Sequence, residues 1–264
     1  MKTVEKRIRE CVAKGNKAFI PYMMAGDGGL DSLKDKLLFL EECGATAIEI
    51  GIPFSDPVAD GEVIQRAGER ALADGVTLRK VLDELVRFKG EVSVPLIIMT
   101  YLNPILAYGI NSFIERCEKI GIGGLIIPDL PLEEDGLLRN GLEGTDIALI
   151  PLVSLTSSLE RIVNIAKQAE GFIYAVTVNG ITGVRNEFED KLSAHLKRVK
   201  EESSVPVLAG FGISTSQQVE QLGAQADGVI VGSAIVDALH RDDLEVIRGL
   251  MRTCTMEINN SATS

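Results

Sequence analysis

Short apolar segments and longer amphipathic segments alternate along this chain, and the alternation limits the folds available to it. Eight apolar runs have the length of buried strands, and between them apolar side chains recur every three or four residues. Strands that alternate with helices predict βαβ units and a parallel sheet. Eight units within 264 residues favour a closed, single-domain (β/α)8 TIM barrel with extra helices over an open doubly wound sheet. The predicted strands are 18–24, 46–51, 95–101, 123–128, 146–151, 171–177, 205–209 and 227–232.

The segments between these strands are predicted helices, and a further helical segment, 233–252, follows the last strand. The predicted helices are 30–43, 61–73, 77–88, 111–119, 131–139, 158–168, 188–202 and 214–222. No linker or change in composition indicates a second domain, so we expect one TIM-barrel catalytic domain over residues 1–258. The small polar residues 259–264 are expected to form a disordered tail.

The composition excludes several classes of partner. The net charge of −11 argues against nucleic acids and anionic membranes as ligands. No apolar run approaches the ~20 residues that a membrane-spanning helix needs. The four cysteines, at positions 11, 43, 117 and 254, are scattered and form no C-x-x-C pair. A reduced, cytoplasmic location is the simpler interpretation.

The second predicted strand carries a carboxylate in the middle of its apolar run, at Glu49. An ionised carboxylate in apolar surroundings is costly, so we expect it to have either a partner or a chemical role. The loop that follows adds Asp56 and Asp60, and active sites of barrels lie on such loops. The pattern predicts an acid/base site. The residues alone leave alternatives open: Glu49 could be a structural acid, Asp60 could cap the helix that begins near Gly61, and Asp56 is a rival to Asp60.

Glycine-rich loops follow the last three predicted strands. They are Asn179-Gly180-Ile181-Thr182-Gly183, Gly210-Phe211-Gly212-Ile213-Ser214 and Gly232-Ser233-Ala234. Loops at these places, followed by helix N-termini that Ser214 and Ser233 are predicted to cap, commonly bind phosphate in barrel enzymes. No Lys or Arg occurs from Pro206 to His240, so a phosphate would be bound by amides, hydroxyls and the helix dipole. The alternative is that the glycines only serve tight turns between strands and helices.

The segment from Glu49 to Gly61, E-I-G-I-P-F-S-D-P-V-A-D-G, resembles the signature segment of the tryptophan synthase α subunit family. The resemblance extends over nearly the whole chain, through residues 21–27, 99–104 and 128–131, Tyr174 and the glycine loops. It implies cleavage of indole-3-glycerol phosphate to indole and glyceraldehyde 3-phosphate in tryptophan biosynthesis. It further implies that this chain uses no cofactor and no metal, and that a PLP-containing β subunit is its partner in an αββα heterotetramer.

The resemblance also implies roles for individual residues. Glu49 would move protons between the indole C3 and the substrate hydroxyl, and Asp60 would stabilise the positive charge on the indole ring. The implied substrate-binding residues are Tyr22, Met99, Tyr101, Ile126, Tyr174 and Thr182, and the implied phosphate-binding residues are Gly183, Phe211, Gly212, Gly232 and Ser233. The implied partner interface includes Pro53, Phe54, Ser55, Asp56, Pro57, Asn103, Asp129 and Pro131.

Other functions fit parts of the same pattern. The three tyrosines could be core aromatics, and Met99 and Ile126 could be core residues rather than the floor of a pocket. Phosphoribosyl isomerases also combine paired acids with a phosphate site, whereas metal-dependent epimerases of this fold need histidines at strand ends, where this sequence has none. A free-standing lyase that releases indole and a non-catalytic activator of a β partner are further alternatives.

Overall fold

Nine short parallel strands form one sheet in the computed structural model, which describes residues 1–177, 185–210 and 212–254. Along the sheet the order is β5-β4-β3-β2-β1-β9-β8-β7-β6, and every neighbouring pair is parallel. The strands are β1 (Ala18–Met24), β2 (Ile48–Gly51), β3 (Leu96–Met99), β4 (Gly124–Ile126), β5 (Ala148–Leu149), β6 (Leu152–Ser154), β7 (Ile173–Val176), β8 (Val207–Gly210) and β9 (Gly228–Val231).

The two strands at the edges of this sheet, β5 and β6, are halves of one barrel strand. Only Ile150 and Pro151 separate them. The Ile150 N–H donates to the Leu125 carbonyl at 2.9 Å, and the Tyr174 N–H donates to the Pro151 carbonyl at 3.0 Å. Pro151 has no N–H to give to a ladder, which interrupts the strand at this point. The eight strand positions therefore close into a ring, and the predicted (β/α)8 TIM barrel is confirmed.

Twelve helices lie among the residues described. Their buried positions follow the helical repeat: in α4, Leu78, Val81, Leu82 and Leu85 face the barrel. The helices are α1 (Thr3–Ala13), α2 (Leu33–Glu42), α3 (Glu62–Ala73), α4 (Leu78–Arg87), α5 (Leu102–Tyr108), α6 (Ile110–Ile120), α7 (Gly136–Leu142), α8 (Leu159–Gln168), α9 (Arg185–Glu202), α10 (Ser216–Gln225), α11 (Ser233–His240) and α12 (Leu244–Arg252). None of these described helices combines the length and apolar character that a membrane span requires.

Two helices were not predicted, α1 and α5. In α1, Val4 and Ile8 are fully buried, and Val4 lies beside Gly123 and Gly171, just before β4 and β7. The helix α1 therefore covers the end of the barrel at which the strands begin, opposite the catalytic loops. Its apolar stripe is narrow because charged residues occupy most other positions.

Three further predictions need correction. The segment 233–252 is not one helix, because Asp242 adopts φ +57° between α11 and α12. Ser214 does not cap α10: Thr215 does, in a capping box with Gln218, a Thr-x-x-Gln signal that the sequence contains. Ser233 is the first residue of α11 rather than its cap, which is Gly232. Residues 259–264, the predicted tail, lie outside the described residues.

Gly228 allows the ring to close between β9 and β1. It pairs with Ala18, and a Cβ at position 228 would lie 2.2 Å from the Ala18 carbonyl oxygen. That oxygen belongs to the backbone of a buried strand, so it cannot move without disturbing the ladder.

We predict that Gly228→Ala lowers the free energy of unfolding by about 2 kcal/mol or more, since it forces a methyl group against the backbone. Gly249→Ala is the matched control, because Gly249 lies in α12 and a Cβ there would have no neighbour within 4 Å. At that position, alanine should raise stability by up to ~1 kcal/mol through helix propensity. Urea-induced unfolding of both variants measures the difference, and equal stabilities would contradict the steric account.

Candidate active site

A cavity of about 240 Å³ opens at the carboxyl ends of the strands. Nine residues predicted as catalytic, substrate-binding or phosphate-binding line it, together with Gly61, Ile64 and Leu152. The nine are Tyr22, Glu49, Asp60, Met99, Ile126, Tyr174, Gly212, Gly232 and Ser233. The predicted residues Thr182, Gly183 and Phe211 lie outside the described residues. Both predicted catalytic carboxylates therefore face one cavity.

The three additional lining residues had weak signals in the sequence. Gly61 caps α3 directly after Asp60, and Ile64 lies in the first turn of that helix, so the turn carries both to the same side. Leu152 follows Pro151 in the interrupted strand, beyond the predicted strand end at residue 151.

Glu49 lies at the base of the cavity in the middle of β2. The parallel register places it level with Tyr22 on β1 and Ile97 on β3. Its side chain is 1% exposed, and Oε2 has no hydrogen-bond partner among the described residues. Burial, and secondarily the charge of Asp60, raise the pKa of Glu49 to about 8. The carboxyl group is therefore mainly protonated at neutral pH.

Asp60 faces Glu49 from the loop between β2 and α3. Its Oδ1 is buried and unpartnered within the described ranges, and burial raises its pKa to about 6, while a hydrogen bond from Tyr101 opposes that rise. Asp60 is therefore mainly ionised at neutral pH. It does not cap α3. The cap residue is Gly61, which has no side chain to accept a hydrogen bond from the helix. A neutral acid beside an ionised one is the arrangement expected where two carboxyl groups divide acid and base roles.

Asp56, the rival acid on the same loop, has a different setting. It is exposed, it accepts a hydrogen bond from the Ser55 hydroxyl at 2.5 Å, and it is not among the described residues that line the cavity. The geometry favours Asp60 over Asp56 as the partner of Glu49.

Two glycines make room for the tyrosines of the cavity. A Cβ on Gly51 would lie 1.9 Å from the Tyr22 hydroxyl oxygen, and one on Gly210 would lie 2.5 Å from the Tyr174 hydroxyl oxygen. Burial, reinforced by the charges of the two carboxyl groups, raises the pKa of both tyrosines well above the usual value. Both hydroxyls therefore remain protonated and can donate hydrogen bonds.

Tyr101 differs from the other two tyrosines, because it lies behind the loop 52–61 between β2 and α3, here called the acidic loop. It is not among the described residues that line the cavity, and it is 3% exposed. Its hydroxyl oxygen accepts a hydrogen bond from the Ala59 N–H at 3.0 Å, and its ring stacks on Phe54 with the centroids 5.2 Å apart.

The opposite wall of the cavity is built from glycine and a helix N-terminus. Gly212 has φ +72°, a left-handed conformation that favours glycine, and Gly232 and Ser233 begin α11. Free N–H groups at a helix start bind anions. No Lys or Arg occurs among the described lining residues, so an anion at this wall would be held by the backbone and the Ser233 hydroxyl.

The predicted partner interface lies on three neighbouring loops at the same end of the barrel. Ser55, Asp56, Asn103, Asp129 and Pro131 are exposed, whereas Phe54 and Pro57 are partly buried and Pro53 is buried. On the same face, the apolar Val58, which was not predicted, is 84% exposed, and Leu106 of α5, within the predicted interface segment 103–108, is 48% exposed.

A larger cavity, of about 430 Å³, lies between the loop after β4, α7 and α8. Its two arginines are already paired, Arg139 with Asp135 and Arg161 with Glu133. Its two aspartates are hydrogen-bonded as well, Asp129 by the Leu102 N–H and Asp135 by Arg139, so the chemistry favours the smaller cavity with its unpartnered carboxyl oxygens. Across the described part of the chain, no three His, Cys, Asp or Glu side chains come together as a set of metal ligands.

Comparison with known proteins identifies the family. A family model described as "Tryptophan synthase alpha chain" matches residues 8–262. The tryptophan synthase alpha chains of Bacillus cereus and Bacillus mycoides are 52% and 51% identical over 242 residues, which cover 92% of this chain and 94% of each relative.

Solved structures agree. Tryptophan synthase subunit alpha from Legionella pneumophila superposes with a TM-score of 0.86 at 33% identity, covering 97% of this chain and 99% of that one. A chain of tryptophan synthase from M. tuberculosis, in its aminoacrylate-bound form, gives 0.85 at 32% identity, with 96% and 98% covered. By its sequence and its fold, the chain belongs to the tryptophan synthase alpha chain family.

Proposed function

We propose that this protein cleaves indole-3-glycerol phosphate to indole and glyceraldehyde 3-phosphate, a step of tryptophan biosynthesis. The observation that carries the proposal is the pair of facing carboxyl groups, Glu49 neutral and Asp60 ionised, in one cavity with a glycine-rich, helix-N-terminal wall. The substrate has matching parts: a flat apolar ring with one N–H, a hydroxyl next to the bond that breaks, and a phosphate at the far end.

The cleavage needs one proton delivered and one removed. In the proposed mechanism, the protonated Glu49 carboxyl donates its proton to indole C3, which leaves a positive charge on the ring nitrogen. The ionised Asp60 carboxylate stabilises that charge. Glu49, now ionised, then takes the proton of the neighbouring hydroxyl. The oxygen electrons form the aldehyde C=O, the carbon–carbon bond breaks, and its electrons restore the neutral indole ring. Glu49 ends in its starting state.

The remaining walls suit the two ends of this substrate. Met99, Ile126, Leu152 and Ile64 offer apolar contacts to an indole ring. The N-terminus of α11, with Gly212 beside it, offers backbone donors to a phosphate. The mechanism uses side chains of this chain alone, and PLP is expected in a β subunit.

The proposal includes a β subunit that docks on the loops after β2, β3 and β4. This face surrounds the mouth of the cavity, and it carries both apolar and charged exposed residues, such as Val58 and Asp56. Docking there would pass indole directly to the partner in an αββα heterotetramer, in the cytoplasm. The rate of indole release, measured with and without a cognate β subunit, distinguishes a partner-dependent enzyme from a free-standing lyase. The rate of a free-standing lyase would not rise when the β subunit is added.

We predict that Glu49→Gln lowers indole release by a factor of about 100 or more, because the amide keeps the shape of the side chain but cannot transfer the proton. Since Glu49 is mainly neutral in the folded protein, the melting temperature at neutral pH should change little. Glu69→Gln, on the exposed face of α3, is the matched control. A Glu49→Gln variant that keeps more than about a hundredth of the wild-type turnover would rule out the proton-transfer role.

We predict a bell-shaped pH dependence of kcat/KM. Activity should rise as Asp60 ionises above a pH of about 6 and fall as Glu49 loses its proton above about 8. In Asp60→Asn the acidic limb should disappear. The basic limb should also move to lower pH, because the charge of Asp60 helps to raise the pKa of Glu49. Steady-state indole release across the pH range measures both limbs, and a basic limb that stays in place would contradict the coupling.

We predict that Gly232→Asp weakens the binding of glycerol phosphate far more than the binding of indole. A carboxylate at the start of α11 would repel the phosphate, and Gly232→Asn is the matched control because it adds the same bulk without the charge. Calorimetric titration with each ligand measures the effect. Equal losses in the Asp and Asn variants would show that bulk, not charge, is responsible, and undiminished phosphate binding in both would place the phosphate elsewhere.

A further inference from the structure

Tyr101 has a position that substrate contact does not explain. It precedes α5 as the cap residue of that helix, it is almost fully buried, and it lies outside the described lining of the cavity. A buried tyrosine hydroxyl needs hydrogen-bond partners, so its partners indicate what the residue does.

Among the described residues, the Tyr101 ring and hydroxyl contact the acidic loop between β2 and α3. Its ring stacks on Phe54 near the start of the loop, with an angle of 30° between the ring planes. Its hydroxyl oxygen accepts the Ala59 N–H at 3.0 Å, which brings the hydroxyl next to the Asp60 carboxylate, and there it lowers the pKa of Asp60 against the effect of burial. A hydroxyl can accept one hydrogen bond and donate another, so both contacts are compatible.

The acidic loop has few other anchors near its catalytic end. The Asp60 N–H reaches the Pro57 carbonyl at 3.4 Å, which is a long hydrogen bond, and the Gln65 side chain donates to the Asp60 carbonyl at 2.8 Å. Within the described part of the chain, Tyr101 is the side chain outside the loop that accepts the Ala59 N–H, and it also lowers the pKa of Asp60.

Tyr101 is itself held by the next loop of the barrel. The Leu102 N–H, one residue on, donates to both carboxylate oxygens of Asp129, at 2.9 and 3.2 Å. Asp129 follows β4 and is exposed on the face where the partner is expected. The first turn of α5 is thereby fixed, and the direction of the Tyr101 ring with it.

We propose that Tyr101 is a positioning residue, which holds the acidic loop against β3 and keeps Asp60 aimed at the ring nitrogen of the substrate. The inference rests on the proposed function, because the task assigned to Tyr101 is to orient a group that stabilises the reacting ring. In the free protein, the Tyr101 hydroxyl beside Asp60 favours the ionised form of that carboxyl group.

Four titratable groups among the described residues feel the charge of Asp60. These are Glu49 from β2, Tyr22 from β1, Tyr174 from β7 and Tyr101 from the end of β3. Of the four, Tyr101 donates the hydrogen bond that opposes the effect of burial on the pKa of Asp60. Removing this hydroxyl should therefore make Asp60 harder to ionise.

The test compares Tyr101→Phe with Phe54→Leu. Tyr101→Phe keeps the ring that stacks on Phe54 and removes the hydroxyl, with its hydrogen bond from the Ala59 N–H and its interaction with Asp60. We expect kcat/KM near neutral pH to fall about tenfold or more, and the acidic limb of the pH profile to move up by about one pH unit, as the loss of a charge-assisted hydrogen bond implies. Phe54→Leu keeps the hydroxyl, so it should lower turnover without moving that limb.

A second readout does not depend on turnover. The carboxyl carbon of Asp60, followed by 13C NMR in ligand-free protein and assigned with Asp60→Asn, should titrate at higher pH in Tyr101→Phe than in wild type. If the titration shifts but wild-type protein releases no indole with or without a β subunit, the proposed function fails, and only the effect of Tyr101 on the ionisation of Asp60 stands. If neither the Asp60 titration nor the acidic limb moves, Tyr101 only fills space and the inference is overturned.

Discussion

The carboxyl group of Glu49, buried in the middle of β2 with one oxygen unpartnered among the described residues, is the constraint on which the rest of this site depends. A carboxylate there would be costly, so the fold favours the neutral form, and the charge of Asp60 favours it further. A group kept neutral at working pH can donate a proton and then recover one. Burial disfavours the ionised form of Glu49, and the protonated carboxyl group that results is the acid that the proposed cleavage needs.

The barrel provides that environment through its register and its small residues. Parallel pairing places Tyr22 beside Glu49, and glycines at positions 51 and 210 give the tyrosine hydroxyls the space that a Cβ would take. Asp60, by contrast, lies on a loop, and Tyr101 secures that loop from the neighbouring strand. Glu49 is thus built into the sheet, whereas Asp60 is held by tertiary contacts that a substrate or a partner can adjust.

The sequence predicted the parts of this structure that local patterns encode. Buried parallel strands are apolar throughout, so all eight strand positions were predicted, and Glu49 stood out because it interrupts such a run. Features that depend on tertiary contacts were harder to predict from the sequence. The helix α5 has only seven residues and contains Pro104, and the break at Pro151 put Leu152 beyond the predicted strand. The contacts of Tyr101 depend on how a loop folds back over it, which no spacing in the sequence records. The resemblance implied that Tyr101 binds substrate, which stays a prediction, and its contacts in the structure support the proposed positioning role.

The protonation state of Glu49 tests the central claim most directly. Infrared difference spectra between wild-type protein and Glu49→Gln, recorded across a pH series, report whether this one carboxyl group is protonated. The account predicts a protonated-carboxyl band at neutral pH that is absent from the variant and disappears with a midpoint near pH 8. A wild-type spectrum with no such band at neutral pH, showing Glu49 already ionised, would contradict it.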